Sequence, residues 1–322
     1  MAENADRNGD RVSFVAPADE VRADVGTPDP VPAAAGVASP FGNERIHVTG
    51  PWQAGVRPRF KELWRYRTVL PWMGKEFILK RYRRTYLGYF WIPLRPGLDI
   101  LTQTFIFGGL LQVGSGDRPY FIYIAFGRAG WMIFDRAMHW SARSVRFANS
   151  LVRGLYCPRS LIQAATIFPT MVDFLLYSLI AIVGVLYYLI VRGTWYLAPP
   201  QQMIIGFFGL FVMILFGMGF GLFIAPIAAN TKEVRFVLAY FVSFLYFITP
   251  IIKPLSDLHG VYYTIALWNP LTAPIELVNY GFLSTNDLKP QSVLSSAIGL
   301  TIVIVSGLWF SSRFERAAVA RL

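Results

Sequence analysis

Residues 79–111, LKRYRRTYLGYFWIPLRPGLDILTQTFIFGGLL, pass from the most basic part of the chain through a cluster of aromatics into a long apolar run. Lys80, Arg81, Arg83 and Arg84, with Lys75 just upstream, give way to Tyr86, Tyr89, Phe90 and Trp91. Arginines meet anionic headgroups, aromatic rings settle at headgroup level, and about 20 apolar residues cross about 30 Å of hydrocarbon. The stretch therefore predicts an inner membrane boundary followed by a first span.

Composition extends that reading to the whole chain. With 54% hydrophobic and only 15% charged residues over 322 positions, it is too apolar for a soluble domain of this length. The net charge of +11 would also suit nucleic acid. Soluble nucleic-acid binders do not carry repeated long apolar runs, however, so the cations are read for topology and nucleic acid is excluded as a partner. The single cysteine, Cys157, rules out an intrachain disulfide and argues against a cysteine-built metal site.

Apolar runs of bilayer length fall at about 87–113, 119–138, 163–191, 202–229, 234–252 and 292–311. The fold class expected is an all-α integral membrane protein with six transmembrane helices per subunit. Between the last two runs, residues 253–290 are partly apolar but broken by Pro254, Pro270, Pro274 and Gly281, which predicts short re-entrant helices. Residues 59–86 mix Leu, Trp, Phe and Ile with cations, as an amphipathic interface helix does, and Pro71 is expected to break it in two. Residues 1–58 are rich in Ala, Pro, Gly and Asp, with neither apolar periodicity nor a signal-peptide core, and are expected to form a disordered cytoplasmic tail. The domain plan is thus 1–58, 59–86 and a six-span domain over 87–322.

Orientation follows the cations. A cytoplasmic N-terminus places inside the basic residues of 57–84, then Arg143, Arg146, Arg153 and Arg159, then Lys232 and Arg235, and finally Arg313, Arg316 and Arg321. Only Arg118, Arg192, Lys253 and Lys289 fall outside. The positive-inside rule gives an N-in, C-in topology.

Ionisable groups at membrane depth cost on the order of 2.5 to 3.5 kcal/mol each and demand a partner or water. Arg95 and Asp99, four residues apart on the first span, are placed to pair locally. Arg128 and Asp173 fall near mid-depth, which predicts a cluster of Asp99, Arg128 and Asp173 in the bundle interior, with Asp135 closer to the inner surface. Gly217, Gly219 and Gly221 permit close helix approach, and either dimer packing or flexibility facing the lipid is expected of them.

The opening stretch also resembles the first-span region of ABC transporter permeases that export polysaccharides, in which a basic run, an LGxxW motif and a proline-bearing helix recur. The resemblance continues through NSLVRGLYCPRSLI (149–162), VDFLLYSLI (172–180), NTKEVRFVLAYFVSFLYFITPIIKPLSDL (230–258) and WNPLTAPIELVNYGFL (268–283). It covers most of the chain from about 60 to 316. Asp173, in VDF, is familiar in that family, whereas an arginine at position 128 departs from its pattern.

The resemblance implies the permease subunit of an ABC-2-type exporter of O-antigen, capsule, teichoic acid or galactan, working as a homodimer in the bacterial cytoplasmic (inner) membrane. The cargo it implies is an undecaprenyl-pyrophosphate-linked glycan. Arg81, Arg83 and Arg84 would meet the pyrophosphate, and Tyr86, Tyr89 and Trp91 would mark the mouth of an aromatic-walled channel. A coupling segment at 139–160, with Arg153, Tyr156, Pro158 and Arg159, would contact the ATPase. Residues 253–290, with Pro254, Trp268, Pro270 and Glu276, would form an outer gate. The chain itself lacks GxxxxGK[ST], so ATP and Mg belong to a separate P-loop ATPase present in two copies, and the permease is not an enzyme and binds no cofactor or metal.

Other classes fit less well. A polytopic glycosyltransferase or acyltransferase needs convergent acids or histidines, yet there is no DxD motif and His47, His139 and His259 are scattered. A secondary transporter commonly carries an inverted repeat, and none is visible. A small-molecule or drug exporter of the same permease type differs only in lacking the closer resemblance to the polysaccharide branch.

Overall fold

Helix is the only regular structure among the described residues, apart from an isolated bridge between Ser115 and Asp117. The computed structural model describes residues 67–82, 90–151, 159–231, 233–285 and 287–319. The expectations for residues 1–58, Arg83, Arg84, Tyr86, Tyr89, Arg153, Tyr156 and Pro158 lie outside the described residues.

The helices are α1 (Val69–Tyr82), α2 (Trp91–Gln103), α3 (Tyr120–Leu151), α4 (Arg159–Ala165), α5 (Ile167–Arg192), α6 (Pro200–Asn230), α7 (Val234–Ile248), α8 (Gly260–Trp268), α9 (Thr272–Leu283) and α10 (Pro290–Val319). A π-helix, Thr104–Leu110, continues α2, and a 3-10 turn, Leu255–Asp257, precedes α8. Sequence punctuation explains several ends. Gly193 closes α5 in the left-handed region, donating its N–H to the Leu189 carbonyl at 2.9 Å. Prolines at the first positions of α6 and α10 start helices where a missing N–H costs nothing.

The bundle is built around α3 and α6, which pack along much of their length. Gly217 and Gly221 of α6 lie against the backbone and small side chains of α3 at Phe134, Ala137, Met138 and Ser141. Gly219 turns the other way, onto Val303 of α10, where Gly307 in turn sits on the Gly219 carbonyl. These glycines are thus used inside one chain and not between copies, which corrects the dimer-packing expectation. The re-entrant segment is placed by the same device: Gly206 meets Gly281, and Gly209 meets Pro274 and Leu277, so α9 lies directly on α6.

Leu161–Arg192, Pro200–Ala228 and Pro290–Ser311 are long and apolar enough to cross a membrane, and Phe236–Ile248 is a shorter apolar helix. Their outer faces carry large exposed apolar side chains, among them Leu175, Leu179 and Ile190 on α5, Phe236, Tyr240 and Phe244 on α7, and Ile298, Ile302 and Val305 on α10. Apolar faces this extensive belong against lipid; this is a membrane protein. Both α2 and α3 are interrupted by charge, for a reason given by the cavity described below.

One expected boundary comes out differently. The second apolar run was bounded at 138, but α3 continues to Leu151, so Arg136 and His139 lie within a helix and not at its end. Pro71 sits in the first turn of α1, where it is tolerated, and the piece expected before it lies outside the described residues. That helix docks through Met73 and Phe77 onto Trp140, Leu161, Ile162 and Ala165, with Phe77 and Trp140 stacked at 6.1 Å, while Trp72 and Leu79 are exposed.

Candidate functional site

A cavity of about 440 Å³ opens between α2, α3, α5 and α7. Helical spacing builds its walls. Arg95, Asp99 and Gln103 follow at four-residue steps on α2, and Arg128, Met132, Asp135, Arg136 and His139 share one side of α3. Tyr177 projects from α5, while Ala239, Val242, Ser243, Tyr246 and Phe247 come from α7. Trp131 completes the aromatic lining.

Asp99 is the hub of the outer part of this wall. Arg128 donates to its Oδ2 from Nε at 2.8 Å and from Nη2 as well, and the Tyr177 hydroxyl donates to the same oxygen at 3.0 Å. Gln103 Nε2 donates to Oδ1 at 3.1 Å. The Gln103 side-chain oxygen accepts from the Tyr246 hydroxyl, and the Arg128 guanidinium lies 4.7 Å from the centre of the Tyr246 ring. Three helices, α2, α3 and α5, are therefore tied at a single carboxylate, and α7 joins them through Gln103 and Arg128. Charge-assisted bonds of this kind are roughly twice as strong as neutral ones, and a guanidinium over an aromatic face adds further attraction where water is scarce.

A second charge group lies further along α3. Arg136 Nε is 3.3 Å from Asp173 and 3.6 Å from Asp135, and His139 Nδ1 is 2.9 Å from Asp135. Asp173 is buried on α5 and sits against α3 through this ion pair.

The cluster expected of Asp99, Arg128 and Asp173 is therefore resolved into two groups. Arg128 takes Asp99, and Asp173 takes Arg136, a residue of the second apolar run that the sequence reading did not count among the charges at membrane depth. Arg95 does not bond Asp99; its place is filled by Arg128, Tyr177 and Gln103 from both sides. His139, read as a scattered histidine, lines the cavity and bonds Asp135. Gln103 follows Asp99 by four residues, a spacing that could have nominated it as a partner on the same helix face, whereas Tyr177 reaches Asp99 from another helix and no local spacing announces it.

The remaining predicted residues lie elsewhere. Arg81 is in the last turn of α1, Trp91 opens α2 and Arg159 opens α4. Pro254 is buried beside the 3-10 turn, Trp268 ends α8 with its ring exposed, and the Pro270 carbonyl accepts a bond from Ser296 Oγ at 2.6 Å. Glu276 is fully enclosed in α9, and its Oε1 has no hydrogen-bond partner among the described residues. His259 is exposed ahead of α8.

Chemically, the cavity offers paired donors and acceptors beside flat aromatic surfaces, a combination suited to a hydroxyl-rich ring. Among the described residues no group of three His, Cys, Asp or Glu side chains is arranged to hold a metal ion.

A profile of the ABC-2 type transporter family matches residues 69–283, a range that contains every residue lining the cavity. The chain is 21% identical to the O-antigen export system permease protein RfbA of Myxococcus xanthus, over 62% of this chain and 73% of that protein. It is 26% identical to a polysialic acid transport protein KpsM of Escherichia coli, over 70% of this chain and 88% of that protein.

Proposed function

This chain belongs to the ABC-2 type transporter family, and from that premise we propose that it is the membrane subunit of an ATP-driven exporter of a lipid-linked polysaccharide. The observation that carries the reading is the charged, aromatic cavity held between α2, α3, α5 and α7 in an otherwise apolar bundle. Buried charge in a membrane is expensive unless it serves a hydrophilic passenger or is fully paired. Here most of the charge is paired while still facing an open space, as a surface that contacts a polyhydroxylated chain requires.

The relatives named as permeases or transport proteins for O-antigen and polysialic acid support a glycan as cargo. In this proposal α2 with its π-helix, α3, α5, α6, α7 and α10 are the six spans, and α8 and α9 form a re-entrant hairpin on the outer side. Both termini face the cytoplasm, following the cation distribution. The subunit works as a homodimer in the inner membrane. Two copies of a separate P-loop ATPase supply ATP and Mg and engage the segment 139–160. The lipid pyrophosphate is met at Arg81, Arg83 and Arg84, beside Tyr86, Tyr89 and Trp91, and the gate lies at 253–290 with Pro254, Trp268, Pro270 and Glu276.

Affinity purification of the tagged chain from its native membranes tests the proposal. A P-loop ATPase should co-purify in stoichiometric amount, with hydrolysis that depends on the permease. A folded chain that purifies without such a partner would overturn ATP-driven export.

A further inference from the structure

We infer that Arg95 is an anion-accepting group of the cavity, positioned to receive a carboxylate or phosphate carried by the cargo. The inference rests on the cavity being a polysaccharide-contacting site. Three guanidinium groups line that space, Arg95, Arg128 and Arg136. Arg128 is committed to Asp99, and Arg136 lies between Asp173 and Asp135. Arg95 is exposed and has no carboxylate within 4.0 Å among the described residues.

The carboxylate best placed on its own helix is already full. Asp99 accepts from Arg128 through two nitrogens, from Tyr177 and from Gln103. A carboxylate has about four lone-pair sites, and Asp99 already accepts four bonds, three of them at Oδ2, none from Arg95 one turn away. The obvious internal neutralisation of Arg95 has thus been displaced by bonds from three other residues. What remains is a fixed positive charge at the edge of a polar cavity, on the part of α2 nearest the basic run of 79–84.

Chemistry then narrows the ligand. A planar guanidinium fork binds carboxylate and phosphate oxygens in pairs, and such bonds strengthen where water is restricted. Neutral hydroxyls do not require it, since the paired residues and aromatic rings of the same cavity already offer them partners. Two sources can present the anion: an acidic sugar within the polymer, or the phosphate of a lipid anchor.

Binding to the full-length chain in nanodiscs of zwitterionic lipid separates them. The probes are a hexuronic-acid oligosaccharide, its carboxyl-reduced neutral counterpart and a polyprenyl pyrophosphate. At least one anionic probe should bind more tightly than the neutral oligosaccharide. Arg95→Gln should weaken that probe by about 10- to 100-fold, the value of a charge-assisted bond, while leaving the neutral one unchanged. Arg95→Lys, which keeps the charge but not the fork, should lose less affinity than Arg95→Gln. Loss confined to the uronic-acid oligosaccharide assigns the anion to the sugar, and loss confined to the pyrophosphate assigns it to the lipid. Equal binding of both anionic probes by wild type and Arg95→Gln, or no preference of wild type for either over the neutral probe, would overturn the inference. Because the assay uses neither ATP nor transport, a missing ATPase partner would remove the exporter proposal without altering this result.

Discussion

At the scale of residues, Asp99 organises the cavity because three neighbouring side chains converge on it, and its charge is tolerable only while Arg128 is present. Arg128→Leu should destabilise the chain by about 2 kcal/mol, less than the cost of breaking a fully buried pair because both side chains are only partly buried. Adding Asp99→Asn should recover most of that loss, read as the thermal unfolding midpoint in detergent; equal damage from the single and double variants would contradict the pairing. A smaller effect belongs to Tyr246→Phe, which removes the hydroxyl donating to Gln103 and should cost about 1 kcal/mol by the same measurement. The sequence carried enough to place Asp99 and Arg128 in one neighbourhood, since each is a lone charge at membrane depth. It did not carry the partner choice. A four-residue spacing favours Arg95 for Asp99, and only packing of α3 against α2 brings a better-oriented guanidinium from a distant position. Arg136 lies inside the second apolar run, next to Asp135, and nothing in the sequence says that its side chain also reaches Asp173 on another helix.

At the scale of elements, glycine decides how closely α6 approaches its neighbours. Gly217 has the Phe134 carbonyl and Ala137 where a side chain would begin, so Gly217→Val should force α3 and α6 apart at a cost of about 3 kcal/mol and a clear fall in folded yield. Gly193 is the useful contrast. Its φ of 67° strains any replacement, but no atom crowds it, so Gly193→Ala should cost only about 1 kcal/mol. Size-exclusion yield and unfolding midpoint should rank the two variants in that order. The long elements were legible because α5, α6 and α10 present continuous apolar runs whose ends are marked by Gly193, Pro200 and Pro290. The glycine spacing on α6 was legible as close packing but not as to its target, because alternate glycines face two different helices and periodicity does not say which helix lies opposite. The π-helical continuation of α2 was not legible either: residues 104–110 have an ordinary apolar pattern, and the wider turn shows only in the bonding of Leu111 back to Ile106.

At the scale of the whole molecule, an apolar exterior, a charged interior cavity and an uneven distribution of cations support the oriented exporter proposed above. The orientation has its own test in a background with Cys157 replaced by Ser. Asp117→Cys, in the exposed turn between the π-helix and α3, should react with a membrane-impermeant maleimide applied from outside. Thr231→Cys, between α6 and α7, should react only after permeabilisation. The reverse pattern would invert the topology. The central claim, export of a lipid-linked glycan, is tested most directly by depleting the chain in its native cell and measuring lipid-linked glycan on each membrane leaflet. Glycan should accumulate on the cytoplasmic leaflet while its surface form disappears, and the wild-type chain should restore both. Unchanged surface glycan with no cytoplasmic accumulation would contradict the claim.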